Sequence, residues 1–391
     1  MISLAQAIGI ACSKARALGT ENVDLMDSAG RILAQDVFAD ADMPPFNKSA
    51  MDGYACRRAD LGQELSVQEI IPAGKTPSKK ITARQCSKIM TGALVPEGAD
   101  TVFMVEFAEE TGPGKVRFSG TKTSSNICPK GEDLKEGDLV LGSGIQLRPQ
   151  HIAMLASVGQ TRPLVYRQPV TGIISTGSEL VNPEEIPGLS QIRNSNGPQL
   201  FAQAKSYGFV TNYYGIVPDD RLLTRQILER SVAENDVTIL SGGVSVGDFD
   251  FVPGIIQDLG FEILFSKINI KPGQHTTFAS KEDKYIIGLP GNPVSSFIQF
   301  EVFVLPFLRK LMNFEPAEKK FALPMNHDFM RKKSDREECL PVLINAQNEI
   351  QLVNYHGSAH IHAYHSAFGF ITIQAGKSEL KKGEIVYVRP L

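Results

Sequence analysis

The sequence predicts a multidomain α/β protein: a three-layer domain with a parallel sheet between helices, flanked by β-rich modules and a helical linker. Three observations predict it. At 391 residues the chain exceeds one ordinary hydrophobic core, so two to four domains are expected. From about residue 170 to 312, short apolar runs alternate with helix-length amphipathic segments, which is the pattern of a parallel sheet covered on both faces. On either side the texture changes to short β-prone runs broken by Gly, Pro and Lys.

Taken in order, Ala5, Ile8, Ala11, Cys12, Ala15 and Leu18 recur at helical spacing, so residues 1 to about 43 read as helix and connector. Residues 65–71, 101–105 and 115–118 read as strands of an irregular β-rich module. Helix returns at 150–158, before Pro163 and Pro169 punctuate a linker. The sheet domain then offers strands at 170–174, 209–214, 237–240 and 285–289, with helices at 198–207, 221–233, 251–259 and 294–312. Beyond about residue 313 the runs 349–353 and 383–388 are β-like again.

Composition narrows the function classes. A formal charge of −3 provides no global field for nucleic acid or membrane. The first residues lack a basic stretch followed by an apolar core, and no apolar run is long enough to span a bilayer. Cys12, Cys56, Cys86, Cys128 and Cys339 are odd in number and lack CxxC spacing, which argues against disulfides and cysteine zinc sites. A reducing cytoplasm is the expected location.

The chemistry concentrates in loops. Residues 241–250, SGGVSVGDFD, follow the buried strand 237–240 and precede a helix. Gly242, Gly243 and Gly247 allow close approach of backbone to a ligand, and Asp248 and Asp250 add carboxylates at the same mouth. Backbone donors suit phosphate, and carboxylates suit a divalent cation shielding it. STGSE at 175–179 follows the opening strand; Glu179 could join the two aspartates, or the segment is simply a capped turn. In GLPGNPVSS at 288–296, Asn292 and Pro293 make a helix start that would aim its positive end, with Ser295 and Ser296, above the sheet. Lys267, Asn269 and Lys271 share one face of an extended segment, which suits a polyanion or a solvated edge. Upstream, SAMDGYA at 49–55 carries Asp52, and Thr91 and Asp133 sit on further glycine turns.

Together these motifs resemble the molybdopterin molybdenumtransferases, a family that includes the E domain of gephyrin. The carriers are SAMDGYA at Ser49, MTGALVPEGAD at Met90, GED at Gly131, STGSE at Ser175, SGGVSVGDFD at Ser241, KPG at Lys271 and GLPGNPVS at Gly288. The resemblance implies four domains: 1–43 with 140–169 a helical linker and dimerisation domain, 44–139 the β-rich module, 170–312 the molybdopterin-binding domain, and 313–391 a C-terminal β-barrel. It implies a homodimer whose cleft is shared between subunits, and a reaction of adenylated molybdopterin with molybdate that yields molybdenum cofactor and AMP with Mg²⁺. Asp52, Asp133, Glu179, Asp219 and Asp250 would be catalytic, with Glu179, Asp248 and Asp250 holding the metal. Thr91, Gly242, Gly243, Ser245, Lys267, Lys271, Ser295, Arg336 and Ser358 would bind nucleotide, pterin or oxyanion. Other molybdenum cofactor synthesis proteins are expected partners.

The chain departs from the family pattern at several positions. Cys128 and Pro129 stand where two arginines are expected, Gln274-His275 where Lys-Pro follows KPG, Pro341 where a second arginine follows Arg336, and Asn47-Lys48 before SAMDGYA. The rival functions are a nucleotide-anhydride hydrolase indifferent to oxyanion and a non-catalytic scaffold of the same fold. Outside the motifs, four histidines fall between His356 and His365; on a strand, His360 and His362 would share a face able to bind zinc or nickel.

Overall fold

The computed structural model describes residues 1–243, 251–316 and 320–391. They fall into two compact units: residues 1–22, 30–34 and 164–391 form one, and residues 23–29 and 35–163 form the other.

The first unit is built on a six-stranded sheet. Its strands are β1 (Val170–Thr176), β2 (Val210–Val217), β3 (Val237–Ser241), β4 (Glu262–Phe265), β5 (Thr277–Lys281) and β6 (Lys284–Leu289), in the order β2-β1-β3-β6-β5-β4. The first four in that order are parallel; β5 and β4 add an antiparallel edge. Because successive side chains on a strand point to opposite faces, adjacent residues sort into opposite cores. Ile173, Ile239, Ile287 and Phe278 pack with helix α1 (Asn196–Ser206), the long helix starting at Pro293, and the N-terminal helix Leu4–Lys14. Their neighbours Ile174, Leu240, Ile286 and Ala279 pack with helices α2 (Arg221–Glu234) and α3 (Val252–Asp258). Three layers result, with the carboxyl ends of β1, β2, β3 and β6 along one rim.

Local signals set the helix ends. Ser3 and Gln6 close a reciprocal capping box on Leu4–Lys14, at 3.2 Å and 2.9 Å. Asp220 caps α2 through the Leu223 N–H at 2.8 Å. The long helix runs as α4 (Pro293–Gln299), a π-turn (Phe300–Val304) and α5 (Leu305–Leu311). Pro306 has no N–H for the carbonyl four residues back, and the Leu305 N–H reaches Phe300, five back, so the ladder widens there.

Also in this unit, Ile270–Lys271, Glu337–Ile344, Gly369–Ile373, Ile385–Pro390 and Phe321–Pro324 form a second sheet in that order, with Ile350–Leu352 on Glu337–Ile344. The segment after β4 therefore donates a strand to the C-terminal sheet, and Lys271 stands opposite Glu338.

The second unit centres on six strands in the order Thr101–Met104, Gly53–Cys56, Gln85–Ile89, Glu64–Ile71, Lys115–Phe118 and Ala108–Gly112. Both faces are covered: Tyr54, Cys56 and Phe103 pack on one side, Ala55, Ile71 and Val102 on the other. Cys56 and Cys86 face each other across this sheet as free thiols, and burial pushes both up to about 12. Among the described residues no helix is long and apolar enough to cross a membrane.

Candidate active site

A cavity of about 390 Å³ lies over the rim where β1, β2, β3 and β6 end, within the size range of small-molecule sites. Its wall includes Gly177, Glu179, Asn196, Asp219, Gly242 and Gly243. Ligands of open parallel sheets bind at this edge because the turns leaving adjacent strands converge there.

The turn after β1 is tied to the turn after β2. The Ser178 N–H donates to Asp219 Oδ2 at 3.0 Å, and the Asp219 N–H donates back to Ser178 Oγ at 2.9 Å. Gly177, at φ +147°, lies under the Glu179 carboxylate; a Cβ there would come within 2.4 Å of a carboxylate oxygen. Glycine at 177 is what lets that side chain fold over its own loop. In the next turn Gly242 adopts φ +95°, and a Cβ would lie 2.5 Å from the Thr176 carbonyl oxygen. The Gly242 N–H is spent on the Leu289 carbonyl at 3.0 Å. Gly242 thus serves by its missing side chain, whereas the sequence suggested a free N–H. Ser245, Asp248 and Asp250 lie outside the described residues.

The cationic candidates form a separate cluster. Lys271 Nζ contacts Glu338 Oε1 at 2.6 Å, and the buried Arg331 approaches the other carboxylate oxygen at 3.5 Å. Arg331 also donates to the carbonyls of Lys377, Arg336 and Gln374 at 2.6–2.8 Å. Arg336 donates to Gln274 Oε1 at 3.0 Å, so one of the departures from the family pattern is itself part of this cluster. Lys267 is half-buried on the approach to the same strand.

The start of α4 differs from the expectation. Asn292 occupies the cap position without a side-chain cap bond, and the first available helix N–H, from Val294, donates to the Ser358 carbonyl at 3.0 Å. Ser358 therefore meets this helix through its backbone. Ser295 is buried. The histidine segment is not a strand: Ile361–Tyr364 is a 3-10 turn, so the shared face expected for His360 and His362 does not form. Instead His356 and His360 stack with ring centroids 5.1 Å apart.

In the β-rich unit, Asp52 Oδ1 accepts from both the Thr91 N–H at 2.6 Å and the Thr91 hydroxyl at 2.7 Å. The Thr91 hydroxyl and N–H hold the Asp52 carboxyl below its usual range. Asp133 is exposed on the GED turn, its N–H donating to the Met43 carbonyl at 2.9 Å.

Comparison with known proteins agrees with the motif pattern. Residues 2–159 match the family described as MoeA N-terminal region (domain I and II), and residues 172–310 match the probable molybdopterin binding domain. The molybdopterin molybdenumtransferase of Staphylococcus epidermidis is 40% identical over 298 residues, 74% of this chain and 71% of that one. The chain belongs to the molybdopterin molybdenumtransferase family. A Bacillus subtilis molybdopterin molybdenumtransferase is 39% identical over 312 residues, covering 76% of this chain and 72% of its own. Among solved structures, the molybdopterin biosynthesis moeA protein from Pyrococcus horikoshii superposes with a TM-score of 0.84 at 28% identity over the whole of both chains. A molybdenum cofactor biosynthesis protein from Pyrococcus furiosus, TM-score 0.63 at 21% identity over the whole of both chains, shares the fold.

Within this family member the motifs did not reveal everything at the site. Asn196 in the cavity wall and Glu338 under Lys271 were both missed, because their partners lie far away in sequence. For a metal, Glu179 and Asp219 bring two hard oxygen donors to one wall, the chemistry that Mg²⁺ takes. Among the described residues no group of three or more His, Cys, Asp or Glu side chains converges.

Proposed function

We propose that this chain inserts molybdenum from molybdate into adenylated molybdopterin, releasing AMP and giving molybdenum cofactor. The cavity over the sheet rim carries the reading: two carboxylates and a side-chain-free glycine turn share one wall, in a chain whose named relatives are molybdopterin molybdenumtransferases. Gly242 and Gly243, with Ser245, accommodate the nucleotide. Glu179 and Asp219 orient a water toward the anhydride. Its oxygen bonds to the molybdopterin phosphorus, the bridging P–O bond breaks, AMP departs with the bridging oxygen, and the water's two protons pass to the product phosphates and solvent. Glu179, with Asp248 and Asp250, would hold Mg²⁺, which when bound shields phosphate charge.

The oxyanion is assigned to Lys267, Lys271, Ser295, Arg336 and Ser358. Cation and hydroxyl donors suit a tetrahedral dianion. Glu338 already faces Lys271, so an oxyanion arriving there exchanges with that carboxylate for the ammonium. The dithiolene sulfurs of molybdopterin supply soft ligands for molybdenum: two Mo–S bonds form as one Mo–O bond of molybdate breaks, and that oxygen leaves as water with the two thiol protons. Asp52, Thr91 and Asp133 act from the β-rich module, in a homodimer whose subunits share the cleft. The four-part domain division, a cytoplasmic location and association with other cofactor synthesis proteins belong to the same proposal.

The test is AMP release from adenylated molybdopterin with Mg²⁺, measured without oxyanion, with molybdate and with tungstate, alongside Asp250→Ala. Molybdate-dependent release lost in the variant is expected. Hydrolysis indifferent to oxyanion would sink the transferase reading in favour of the hydrolase, and no turnover would favour the scaffold.

A further inference from the structure

Asn196, the first residue of α1, stands in the cavity wall between the two glycine turns. Its Nδ2 donates at 2.8 Å to Ser241 Oγ, where β3 ends, and at 2.7 Å to the Gly291 carbonyl oxygen, in the turn after β6. A carbonyl oxygen can only accept, so the Gly291 contact fixes the orientation of the amide: nitrogen toward the two turns, oxygen away. That oxygen, Oδ1, is buried and accepts no hydrogen bond. Leaving a buried acceptor unpaired is costly, so the side chain keeps two donor bonds at the expense of its own oxygen.

The two turns it joins run close to each other. A Cβ on Gly291 would lie 3.8 Å from the Gly242 α-carbon. The strand ladder between β3 and β6 extends to the pair Ser241 and Leu289, and the Gly242 N–H adds one bond to Leu289 beyond it. Past that point Gly242 and Gly243 sit at φ +95° and +64°, with the backbone freedom that glycine carries. A tie from a helix start on a third element limits that freedom before any ligand arrives, which lowers the ordering cost of binding.

We propose that Asn196 is a positioning residue that pins the turn after β3 to the turn after β6, and so fixes the floor on which the nucleotide sits. The inference rests on the reading of this cavity as the nucleotide site. It concerns the donor protons of the amide specifically, and that makes it separable from a general packing role.

Asn196→Asp keeps the shape and removes both donors. Its carboxylate would face the Gly291 carbonyl oxygen, which favours the protonated form and raises its pKa. Protonation on acidification returns one donor. The experiment is calorimetric titration of the full chain with AMP and Mg²⁺ from pH 8 to pH 5, for wild type, Asn196→Asp and Asn196→Ala, with a melting temperature for each. Expected are an affinity loss of about tenfold in both variants at pH 8, a ratio to wild type that closes toward pH 5 only in Asn196→Asp, and melting temperatures near wild type. Wild-type affinity in both variants would overturn the pinning role while leaving the nucleotide site standing. So would an Asn196→Asp deficit that is constant with pH and follows a lowered melting temperature. Absence of AMP binding to the wild type would overturn the site and the inference together. If Asn196→Ala fails to fold, Ser241→Ala removes one of the two bonds alone and is expected to lose part of the affinity; wild-type affinity there, with a pH-independent Asn196→Asp, would overturn the proposal.

Discussion

At the residue scale, Asp52 and Thr91 make a pair in which one carboxylate oxygen receives two donors from a single neighbour. The Thr91 hydroxyl contributes most to lowering the Asp52 pKa, followed by the Thr91 N–H. A depressed carboxyl is a stabilising contact above its unfolded pKa, and the contribution is lost as pH falls through the lower folded value. Thr91→Val removes the hydroxyl and keeps the N–H. The Asp52 midpoint, followed by carbon-13 NMR of the carboxyl, is expected to rise toward its ordinary value of 3.8 in that variant. An unchanged midpoint would show that the hydroxyl does not govern it. Glu179, Gly242 and Gly243, which line the cavity, were legible as candidates because they sit in short motifs of glycines and polar groups, and Asp219 only through the family resemblance. Asn196 and Glu338 were not, since what defines them is a partner: Gly291 for one, Lys271 for the other. A hydrogen bond spanning 95 residues leaves no local trace.

At the scale of elements, the parallel core could be read with its strand and helix order intact, because buried runs such as Val237–Ser241 alternate with amphipathic helices of ordinary length. The antiparallel edge could not. β4 (Glu262–Phe265) is four residues long, and β5 (Thr277–Lys281) mixes Thr, Ser and Lys, so neither shows a clean period. The long helix at 294–312 was anticipated as one piece, and the π-turn inside it follows from Pro306, a residue visible in the sequence whose effect depends on the surrounding ladder. The turn after β3 has a sharper dependence on its residue type. Gly242→Ala must accommodate both φ +95° and a Cβ 2.5 Å from a backbone oxygen. A destabilisation of about 1–3 kcal/mol is expected from the backbone strain, read from urea unfolding, together with loss of AMP binding. Full stability and affinity in that variant would mean the turn has room that the packing around Thr176 denies.

At the scale of the whole molecule, the C-terminal sheet is fastened to the helices over the six-stranded sheet of the same unit through a buried charge. Glu301, in the π-turn, is 3% exposed. It accepts from Gln203 Nε2 and the Tyr207 hydroxyl, both on or beside α1, at 2.7 Å, and from Arg389 Nη2 on the last strand at 3.2 Å. Burial and this carboxylate push the Tyr207 hydroxyl well above its ordinary range, so it remains a donor at every working pH. Removing the arginine leaves a buried carboxylate without its countercharge. Arg389→Ala is expected to cost about 3–5 kcal/mol in urea unfolding, and the double variant Glu301→Gln with Arg389→Leu considerably less. Equal losses in the two would show that packing, and not the stranded charge, sets the cost. The β-rich texture on either side of the parallel sheet was readable in the sequence, whereas this fastening was not, because Arg389 and Glu301 are 88 positions apart.

The course of the chain between its two units has one more consequence. Residues 35–163 leave and re-enter the first unit at neighbouring points: Leu33 bridges Val165, and the Ala34 N–H donates to the Leu164 carbonyl at 2.9 Å. The two cut ends are thus already as close as the arms of a hairpin, and a turn of two or three residues could splice them. A splice there would remove, exchange or duplicate residues 35–163 without stretching the chain that remains, and only residues 23–29 would lose the unit they pack in.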